Sequence, residues 1–327
     1  MKTWIKNGGM ALATITFALL SVTTSQAEEV RPGVLRTPDS QFENLPGYDF
    51  APHYLEINGY RVHYLDEGPA DGPVILMLHG EPTWAYLYRK MIPVLSEAGI
   101  RSITPCLVGF GRSDKPASMD VHTYKFHVEI MTKLVEELDL QEATFFGQDW
   151  GGLIGLRVVA ENESRFARVV ISNTGLPVGT GDIPAAFGTW KKMNQAMIDA
   201  GDIPTGRMVA TTLGDPSVAA AYDAPFPDPS YKAGALIMPQ RVPMEADDPA
   251  NEAQRAAWKV FEKWKKPFLT AFGDSDPITG GGQAIFQARV PGAKGLEHPI
   301  LAGGKHFIQE TNGEELADII AKFMKEH

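Results

Sequence analysis

The sequence has almost no cysteine and no excess of basic residues. Cys106 is the only cysteine among 327 residues, so no disulfide bond can form within the chain. Lysines and arginines number 30 against 40 aspartates and glutamates, which gives a formal net charge of −10. This balance argues against nucleic acid as a partner. One cysteine and scattered histidines also argue against a structural zinc site, and we expect no bound metal.

Several common catalytic motifs are missing too. The chain contains no G-x-S-x-G, no H-E-x-x-H, no phosphate-binding Walker loop and no G-x-G-x-x-G. Gly109-Phe110-Gly111 comes closest to the last of these, but it lacks the third glycine. The sequence therefore argues against a serine elbow, a zinc protease and the two common nucleotide-binding loops.

One apolar run near the N-terminus stands out. Lys2 and Lys6 precede the apolar residues 10–22, and Ser25-Gln26-Ala27 follows them. A positive start, a short apolar segment and a small–x–Ala end predict a secretory signal peptide over residues 1–27, cut after Ala27. An uncleaved anchor or a disordered tail is the alternative, although the run is short for a membrane span. The mature chain is expected to be periplasmic or secreted, and free of the membrane.

Beyond this segment, apolar runs alternate with segments of helical spacing. Val74–Leu78 predicts a strand covered on both faces, and Asn58-Gly59 between two alternating runs predicts a β-hairpin. The alternation predicts an α/β fold with a mostly parallel sheet and helices on both faces. Residues 28–175 and 252–327 would form this core. Residues 176–251 predict a helical cap over the C-terminal edge of the sheet.

Four other segments carry structural expectations. Residues 28–52 show little periodicity and predict an extended leader. Residues 86–98 have helical spacing, whereas residues 267–272 and 295–301 are predicted to be strands.

The most informative segment is Gly147-Gln148-Asp149-Trp150-Gly151-Gly152. It follows a predicted strand and precedes a predicted helix, and its small–x–acid–x–small pattern is that of a nucleophile elbow. The turn is too tight for larger flanking side chains, and it pushes its central residue out over the sheet. Here that residue is an aspartate instead of a serine. A carboxylate is ionised near neutral pH, so it suits displacement at a saturated carbon and would leave an alkyl ester.

Opening such an ester with water requires a general base, and the C-terminal part of the chain offers candidates. Asp274 and Asp276 follow a predicted strand, and His306 lies in a glycine-containing loop. The order nucleophile, acid, histidine is that of the α/β-hydrolase fold. We prefer Asp276, because a side chain needs a few residues after the strand before it can point back over the sheet. Taken singly, Asp276 would be a turn cap and His306 a structural histidine, but their order with Asp149 favours catalysis.

Together these segments resemble the haloalkane dehalogenases, in particular the subfamily with a late acid and a cap tryptophan as second halide ligand. The resemblance covers nearly everything after residue 27, and the cap segment with Trp190 makes it specific. The segments that carry it are His79–Trp84, Tyr86–Pro93, Gly109–Pro116, Gln148–Gly152, Ala224–Asp228 and His306–Glu310.

The resemblance implies that Asp149 displaces halide and forms an alkyl ester, which water activated by His306 then opens. Asp276 would hold the histidine, and the backbone N–H groups of Glu81 and Trp150 would form the oxyanion hole. The partners would be a small halogenated hydrocarbon, water and a halide ion. No metal and no organic cofactor would be needed, and the chain is expected to act as a monomer.

The resemblance also implies how halide is bound. Trp150 and Trp190 would donate indole N–H groups to it, and Phe187 would line the pocket. Charge grows on the halogen only as its bond breaks, so such donors bind the transition state better than the substrate. Without the resemblance, Trp190 and Phe187 would be interpreted as packing residues of the insertion.

Two positions depart from the family pattern. Cys106 stands where an aspartate usually precedes the glycine loop, and it is expected to alter hydrogen bonding there while removing no catalytic group. Lys305 stands where a small residue usually precedes the histidine. A cation at that position is expected to lower the pKa of the His306 imidazole or to crowd the loop.

Other functions remain open from the sequence alone. An epoxide hydrolase shares the aspartate elbow but needs proton donors, for which Tyr222 and Tyr231 are candidates. A fluoroacetate-type dehalogenase would require arginines for a carboxylate, whereas the elbow offers Trp150. A non-catalytic ligand-binding protein of the same fold, at which Lys305 hints, would release no halide from any substrate.

Overall fold

The computed structural model describes Met1 and residues 28–180 and 183–327, so the predicted signal peptide from residue 2 onward lies outside the described residues. The strands are β1 Glu29–Arg31, β2 Val34–Leu35, β3 His53–Ile57, β4 Tyr60–Glu67, β5 Val74–Leu78, β6 Arg101–Pro105, β7 Lys115–Pro116, β8 Ala143–Gln148, β9 Phe166–Ser172, β10 Phe268–Thr270, β11 Phe272–Gly273 and β12 Ile300–Leu301. The α-helices are α1 Met91–Glu97, α2 Tyr124–Glu137, α3 Asp149–Glu161, α4 Ala185–Ala200, α5 Thr205–Leu213, α6 Ala219–Asp223, α7 Ala233–Ile237, α8 Asn251–Phe261, α9 Gln283–Arg289, α10 Ile308–Thr311 and α11 Gly313–Glu326. Among the residues described, no helix is long and apolar enough to cross a membrane.

The central sheet has seven strands in the order β10-β9-β8-β5-β6-β4-β3. The strands from β10 to β6 pair in parallel, while β4 runs antiparallel to both β6 and β3. Every residue of β8 and four of the five residues of β5 are buried, which explains their continuous apolar runs. The predicted α/β-hydrolase fold, with a mostly parallel sheet flanked by helices, is confirmed. Its parallel strands bring their carboxyl ends to one edge.

The predicted hairpin is also present, formed by β3 and β4. Asn58 and Gly59 have φ values of 51° and 77°, so both occupy the left-handed region. A two-residue turn of this kind matches the twist of the strands that it joins, which is why Asn-Gly is so strong a hairpin signal.

The predicted helix over residues 86–98 is interrupted. A 3-10 turn covers Ala85–Tyr88, and α1 begins only at Met91. Pro93 has no N–H, and its ring clashes with the carbonyl four residues earlier, so a continuous helix through this point is excluded. Within α1 the proline lies in the first turn, where an N–H would have no intrahelical partner.

The C-terminal strand prediction was too long, and the leader is more ordered than expected. Of residues 295–301, only Ile300–Leu301 form a strand, and it pairs with β11. Pro299 cannot donate a ladder hydrogen bond, and His298 Nδ1 accepts from Thr270 N at 3.1 Å, so a side chain occupies the edge of β10. The predicted strand over residues 267–272 is divided between β10 and β11. In the leader, β1 and β2 join β7 in a small sheet.

Between β9 and α8 the described residues form helices and turns and no strand. α4 is lightly covered, since Asn194 is its only buried residue. α5 and α6 pack as one unit, because Asp223 Oδ1 accepts from Thr205 Oγ1 and from Gly206 N at 2.8 Å each. The segment is helical as expected, while the cap boundaries assigned from the sequence stay a prediction.

Candidate active site

Asp149 lies on a sharp turn between β8 and α3. Its φ of 51° places a non-glycine residue in the left-handed region, and its N–H donates to Asn173 O at 3.0 Å. A Cβ on Gly151 would collide with the carbonyl of Leu78, and one on Gly147 would lie 2.8 Å from Gly151 O. The flanking glycines are thus required by the close approach of the backbone, as the elbow pattern predicts.

One oxygen of the Asp149 carboxylate is held by the loop that follows β5. Glu81 N donates to Asp149 Oδ1 at 2.8 Å, and a Cβ on Gly80 would collide with the same carboxylate. Glu81 N therefore occupies the place that the resemblance gives to an oxyanion-hole donor. Between Trp150 N and this carboxylate, the described part of the chain shows no hydrogen bond.

His306 lies between two carboxylates. Its Nδ1 is 3.0 Å from Asp276 Oδ2, and its Nε2 is 3.5 Å from Asp149 Oδ2. The first distance is a hydrogen bond, while the second is that of a looser ion pair. Asp274, the other candidate acid, is exposed and accepts from Gly303 N at 2.8 Å. The structure thus brings Asp276, and not Asp274, to the histidine.

The two carboxylates determine the charge of the imidazole. Burial alone would lower the pKa of His306, but its contacts with Asp149 and Asp276, together with the charges of these carboxylates, raise it to about 10. Burial likewise opposes ionisation of Asp276, yet contacts with His306, Thr279 and Ile278 N lower its pKa to about 2. His306 is therefore a cation at neutral pH as long as both carboxylates are charged.

The loop that carries His306 is fastened to the core through its backbone. Gln148 Nε2 donates to His306 O at 3.0 Å, and Asn173 Nδ2 donates to Lys305 O at 2.8 Å. Both amides lie at the carboxyl ends of neighbouring strands, β8 and β9. The edge of the sheet that positions Asp149 therefore also positions the imidazole. Sequence reasoning had assigned no role to either amide.

A cavity of about 190 Å³ opens beside Asp149. This volume is below the roughly 300–1,000 Å³ of drug-sized sites, so the cavity suits a small ligand. Its walls come from the elbow, the loop after β5, the His306 loop and the cap, and they include the predicted Phe187. The lining residues are Glu81, Pro82, Asp149, Trp150, Phe187, Trp190, Met208, Thr212, Pro239, Val242, Pro277, Ile278, His306 and Phe307.

Both predicted halide-binding tryptophans line this cavity. Trp150 is 2% exposed and packs edge-on against Tyr124, whereas Trp190 lies on the lightly covered α4. Within residues 28–180 and 183–327, neither of their indole N–H groups has an acceptor. The indole nitrogens of Trp84 and Trp258, by contrast, donate to backbone carbonyls at 2.9 and 2.8 Å. The cavity therefore offers two unused N–H donors.

The Glu81 side chain is a feature of the site that sequence reasoning missed. It lines the cavity, is 6% exposed, and has an Oε1 atom without a partner in the described chain. Burial and the charge of Asp149 hold the pKa of Glu81 well above its usual range. The sequence did offer a signal for this feature, because an acidic side chain directly follows Gly80. Only the backbone N–H of Glu81 had been given a role.

The two departures from the family pattern have different consequences. Lys305 Nζ donates to Leu213 O at 2.8 Å, at the end of α5. The pKa of His306 is raised by the neighbouring carboxylates, and an effect of Lys305 on it stays a prediction. Cys106 is buried with its Sγ 3.2 Å from His63 Nδ1, so it contributes to a contact within the core.

The two tyrosines that would serve an epoxide hydrolase do not line the cavity. Tyr222 is fully buried and donates to Glu310 Oε1 at 2.6 Å. Tyr231 OH accepts from Glu28 N at 2.9 Å. Both hydroxyl groups are therefore engaged in structural contacts.

A second groove, of about 340 Å³, lies between β10, the loop before β12 and α11. Its lining includes Leu269, His298, Ile319 and Phe323, and none of the predicted site residues belongs to it.

In the part of the chain that is described, no group of three or more His, Cys, Asp or Glu side chains could hold a metal ion. All predicted site residues other than the acid Asp276 line the smaller cavity beside Asp149. Asp276 does not line it but contacts His306, which does.

Comparisons with known proteins find relatives over nearly the whole chain. The family profile of the α/β-hydrolase fold matches residues 73–312. A haloalkane dehalogenase of Psychrobacter cryohalolentis is 52% identical over 302 residues, covering 90% of this chain and 99% of that protein. One of Mycobacterium marinum is 50% identical over 295 residues, covering 88% and 98%. The solved structure of the haloalkane dehalogenase DpaA from Paraglaciecola agarilytica, described as tetrameric, matches with a TM-score of 0.80 at 37% identity, covering 87% of this chain and 96% of that one.

Proposed function

The chain belongs to the haloalkane dehalogenases, enzymes that hydrolyse carbon–halogen bonds, and we propose that it acts through a covalent alkyl ester on Asp149. One observation carries the proposal. A single small cavity holds the Asp149 carboxylate, His306 at 3.5 Å from it, and the two indoles of Trp150 and Trp190. Small haloalkanes are the proposed substrates, because the cavity measures only about 190 Å³.

In the first step, Asp149 Oδ2 attacks the carbon that bears the halogen. Glu81 N holds the other oxygen, Oδ1, at 2.8 Å, which leaves Oδ2 as the attacking atom. The new carbon–oxygen bond forms while the carbon–halogen bond breaks, and the electron pair of the broken bond leaves with the halide. Trp150 and Trp190 donate their N–H groups to the halogen as its charge grows, and they thereby stabilise the transition state.

Ester formation then changes the charge balance around His306. The ester is neutral, so the imidazole keeps only one of the two carboxylates that raise its pKa, that of Asp276. The pKa of His306 falls, the imidazolium releases its proton to solvent, and the neutral ring becomes a general base.

In the second step, His306 takes a proton from water, and the resulting hydroxide adds to Asp149 Cγ. The negative charge develops on Oδ1, which faces Glu81 N, its donor at 2.8 Å. The bond between Cγ and Oδ2 then breaks, and the leaving alkoxide takes the proton back from His306. The products are an alcohol and the carboxylic acid of Asp149, which passes its remaining proton to His306 and so regenerates the carboxylate and the imidazolium.

The origin of the oxygen in the alcohol tests the covalent step. Attack of water on Cγ leaves the water oxygen in Asp149, while the alcohol carries the former Oδ2. We expect a single turnover of 1-bromobutane in ¹⁸O-labelled water, with enzyme in excess, to label the peptide that contains Asp149 and not the alcohol. Mass spectrometry of both products provides the measurement. A labelled alcohol beside an unlabelled peptide would show direct attack by water and overturn the proposal.

Epoxide hydrolysis is the alternative use of the same nucleophile. It requires a proton donor to the opening oxygen, whereas the donors that line the cavity include the two indole N–H groups, which suit a departing anion. Tyr222 is also committed to Glu310. We expect halide release from 1,2-dibromoethane and no diol from 1,2-epoxybutane. Diol formation without any halide release would reverse the assignment.

We further propose that the enzyme is exported and that its mature form begins at Glu28. The proposal rests on the signal-peptide pattern of residues 1–27. N-terminal sequencing of the protein from the periplasmic fraction of its host should give Glu28-Glu29-Val30. An intact Met1 on protein confined to the cytosolic fraction would contradict export.

The monomeric state also stays a proposal. The solved structure of DpaA, which is 37% identical in sequence, is described as tetrameric. A tetramer is therefore the alternative to the proposed monomer. Size-exclusion chromatography with light scattering decides between the two states, and a monomer mass is the expected result.

A further inference from the structure

Lys305 connects the loop of His306 to the end of a cap helix. Its Nζ donates to the carbonyl of Leu213, the last residue of α5, at 2.8 Å. The last carbonyls of a helix have no intrahelical partners, and they carry the negative end of the helix dipole, so an ammonium group is stabilised there. The cation that departs from the family pattern thus has a defined acceptor on the cap.

The helix that Lys305 holds forms part of the cavity wall. Met208 and Thr212, both on α5, line the cavity beside Asp149. α5 is bound in turn to α6 through Asp223. A displacement of the C-terminal end of α5 therefore changes the width of the space in front of the nucleophile.

A second contact ties the same helical unit to the same loop. Tyr222 of α6 donates to Glu310 Oε1 at 2.6 Å, four residues beyond His306. Glu310 is fixed to the core by Arg89, at 2.5 Å, and by Lys90, at 3.0 Å. Residues 305–310 thus hold α5 and α6 at two points, one on each side of the histidine.

Of the two elements that Lys305 joins, the His306 loop is the one held in place by the core. Gln148 and Asn173 hold its backbone, and Asp276 holds the His306 ring at 3.0 Å. Among the described residues, Lys305 supplies the only side-chain hydrogen bond between α5 itself and the core, while Trp84 Nε1 attaches α6 by donating to Ala221 O at 2.9 Å. The contact of Lys305 therefore restrains α5, and the imidazole would keep its place without it.

We propose that Lys305 is a positioning residue that sets the width of the cavity by holding the end of α5 against the His306 loop. The inference rests on the proposed function, since it concerns how a haloalkane fits beside Asp149. Lys305 touches neither the substrate nor the reacting atoms. It acts through Met208 and Thr212, so its loss changes substrate binding and leaves ester hydrolysis as it was.

Lys305→Met tests this division, because it removes the ammonium and keeps the apolar stem. Rapid-quench mass spectrometry of the alkyl-enzyme gives two quantities, the substrate concentration for half-maximal ester formation and the rate constant of ester decay. We expect the concentration to rise about five- to tenfold, as for loss of one ordinary hydrogen bond at this partly exposed lysine, and the decay constant to stay unchanged. Lys305→Arg, which can still donate, should restore the parent value. Lys133→Met, at an exposed lysine of α2, is the matched control.

Tyr222→Phe provides an independent second variant. It removes the other contact of the helical unit, while Glu310 keeps its core partners, so it should raise the same concentration and spare ester decay. If Lys305→Met folds and leaves the concentration for half-maximal ester formation unchanged, or if ester decay slows as much as binding weakens, the positioning role is wrong. Should circular dichroism show that Lys305→Met does not fold, Tyr222→Phe decides by the same criteria. A parent enzyme that forms no alkyl-enzyme overturns the proposed function itself, whereas a normal parent with unaffected variants overturns only the role of Lys305.

Discussion

The two sides of the cavity are built in different ways. On the core side, Asp149 and His306 follow the ends of strands, and buried neighbours hold both of them. On the cap side, Trp190 and Phe187 lie on α4, in which only Asn194 is buried. The groups that we propose make and break bonds thus follow the ends of buried strands, whereas part of the proposed contact with the leaving group and substrate comes from a lightly covered helix.

This difference predicts which property a substitution on each side of the cavity should change. Catalytic groups must be held close to their working geometry, and sites on the ends of strands provide this better than an exposed helix. Substitutions of the catalytic groups on the core side, Asp149 and His306, should therefore abolish a chemical step. Substitutions on the cap side should change binding and leave the chemistry in place.

The largest effect is expected for Asp149→Asn. An amide is a poor nucleophile, so halide release should fall by about 10⁴-fold or more. Asparagine tolerates the left-handed backbone that this position requires, at φ 51°, so circular dichroism and the melting temperature should resemble those of the parent. Turnover at the parent rate in the purified variant would exclude the covalent step.

The next largest effect is expected for His306→Phe, which removes the base and leaves the nucleophile. Ester formation should continue, while hydrolysis should slow by about 10²- to 10⁴-fold, the usual contribution of a general base. The protein should therefore release about one equivalent of halide and gain the mass of the alkyl group.

Two aspartate variants control for this interpretation. Asp276→Asn removes the carboxylate 3.0 Å from the histidine and should also slow hydrolysis. Asp274→Asn, at the exposed aspartate bound to Gly303 N, should leave hydrolysis normal. Similar slowing in both variants would contradict the placement of Asp276 as the partner of His306.

Local patterns were enough to predict much of this molecule. Asn58-Gly59 determines a hairpin because both residues adopt φ values that most residues avoid. The glycines around Asp149 determine the elbow because the backbone approaches itself there. Pro93 also carried a local signal, which should have ended the predicted helix before residue 91.

What could not be predicted depends on distant contacts. The strand over residues 295–301 fails because the His298 side chain binds Thr270 N, a partner 28 residues away. The raised pKa of the Glu81 carboxyl results from burial beside Asp149. The contact of Lys305 with Leu213 O has a similar origin, since the position of Lys305 next to His306 in the sequence says nothing about where its ammonium group points.

Two histidines buried in the core should make the stability of the protein depend on pH. Burial lowers the pKa of both His79 and His122 to about 4, against about 6.5 in an unfolded chain. Between these values the unfolded chain binds protons that the folded one does not, so stability is complete above pH 6.5 and is lost as the pH falls towards 4. At pH 5 each histidine should cost about 2 kcal/mol, at 1.36 kcal/mol per pKa unit. The contribution of His306, with its pKa raised to about 10, is complete below pH 6.5 and is lost progressively as the pH rises from 6.5 through 10.

Urea unfolding measured from pH 7.5 to pH 5 tests this pH dependence. His122→Gln should flatten the dependence of the unfolding free energy on pH, because glutamine does not titrate. His53→Gln, at an exposed position, is the control and should leave the dependence unchanged. An equal flattening in both variants would show that the buried position is not the cause.

The smallest effects should come from the two tryptophans, and they compare the two sides of the cavity most directly. Trp150→Phe and Trp190→Phe each remove one N–H donor from the cavity, so bromide should bind about tenfold more weakly in either variant. Stability should separate the two variants. Trp150 is 2% exposed and packs on Tyr124, so its replacement should lower the free energy of unfolding by about 1 kcal/mol or more. Trp190→Phe, on the lightly covered α4, should change it by less than about 0.5 kcal/mol.

Bromide-dependent quenching of tryptophan fluorescence and urea unfolding supply the two measurements, and Trp258→Phe serves as the control. The Trp258 indole donates to Leu176 O at 2.8 Å and does not line the cavity, so its loss should affect stability and spare bromide affinity. If Trp190→Phe destabilises the protein as much as Trp150→Phe does, α4 is not the weakly held side of the site. If it leaves bromide affinity unchanged, the halide is bound by the core tryptophan alone, and the cap contributes shape without a donor.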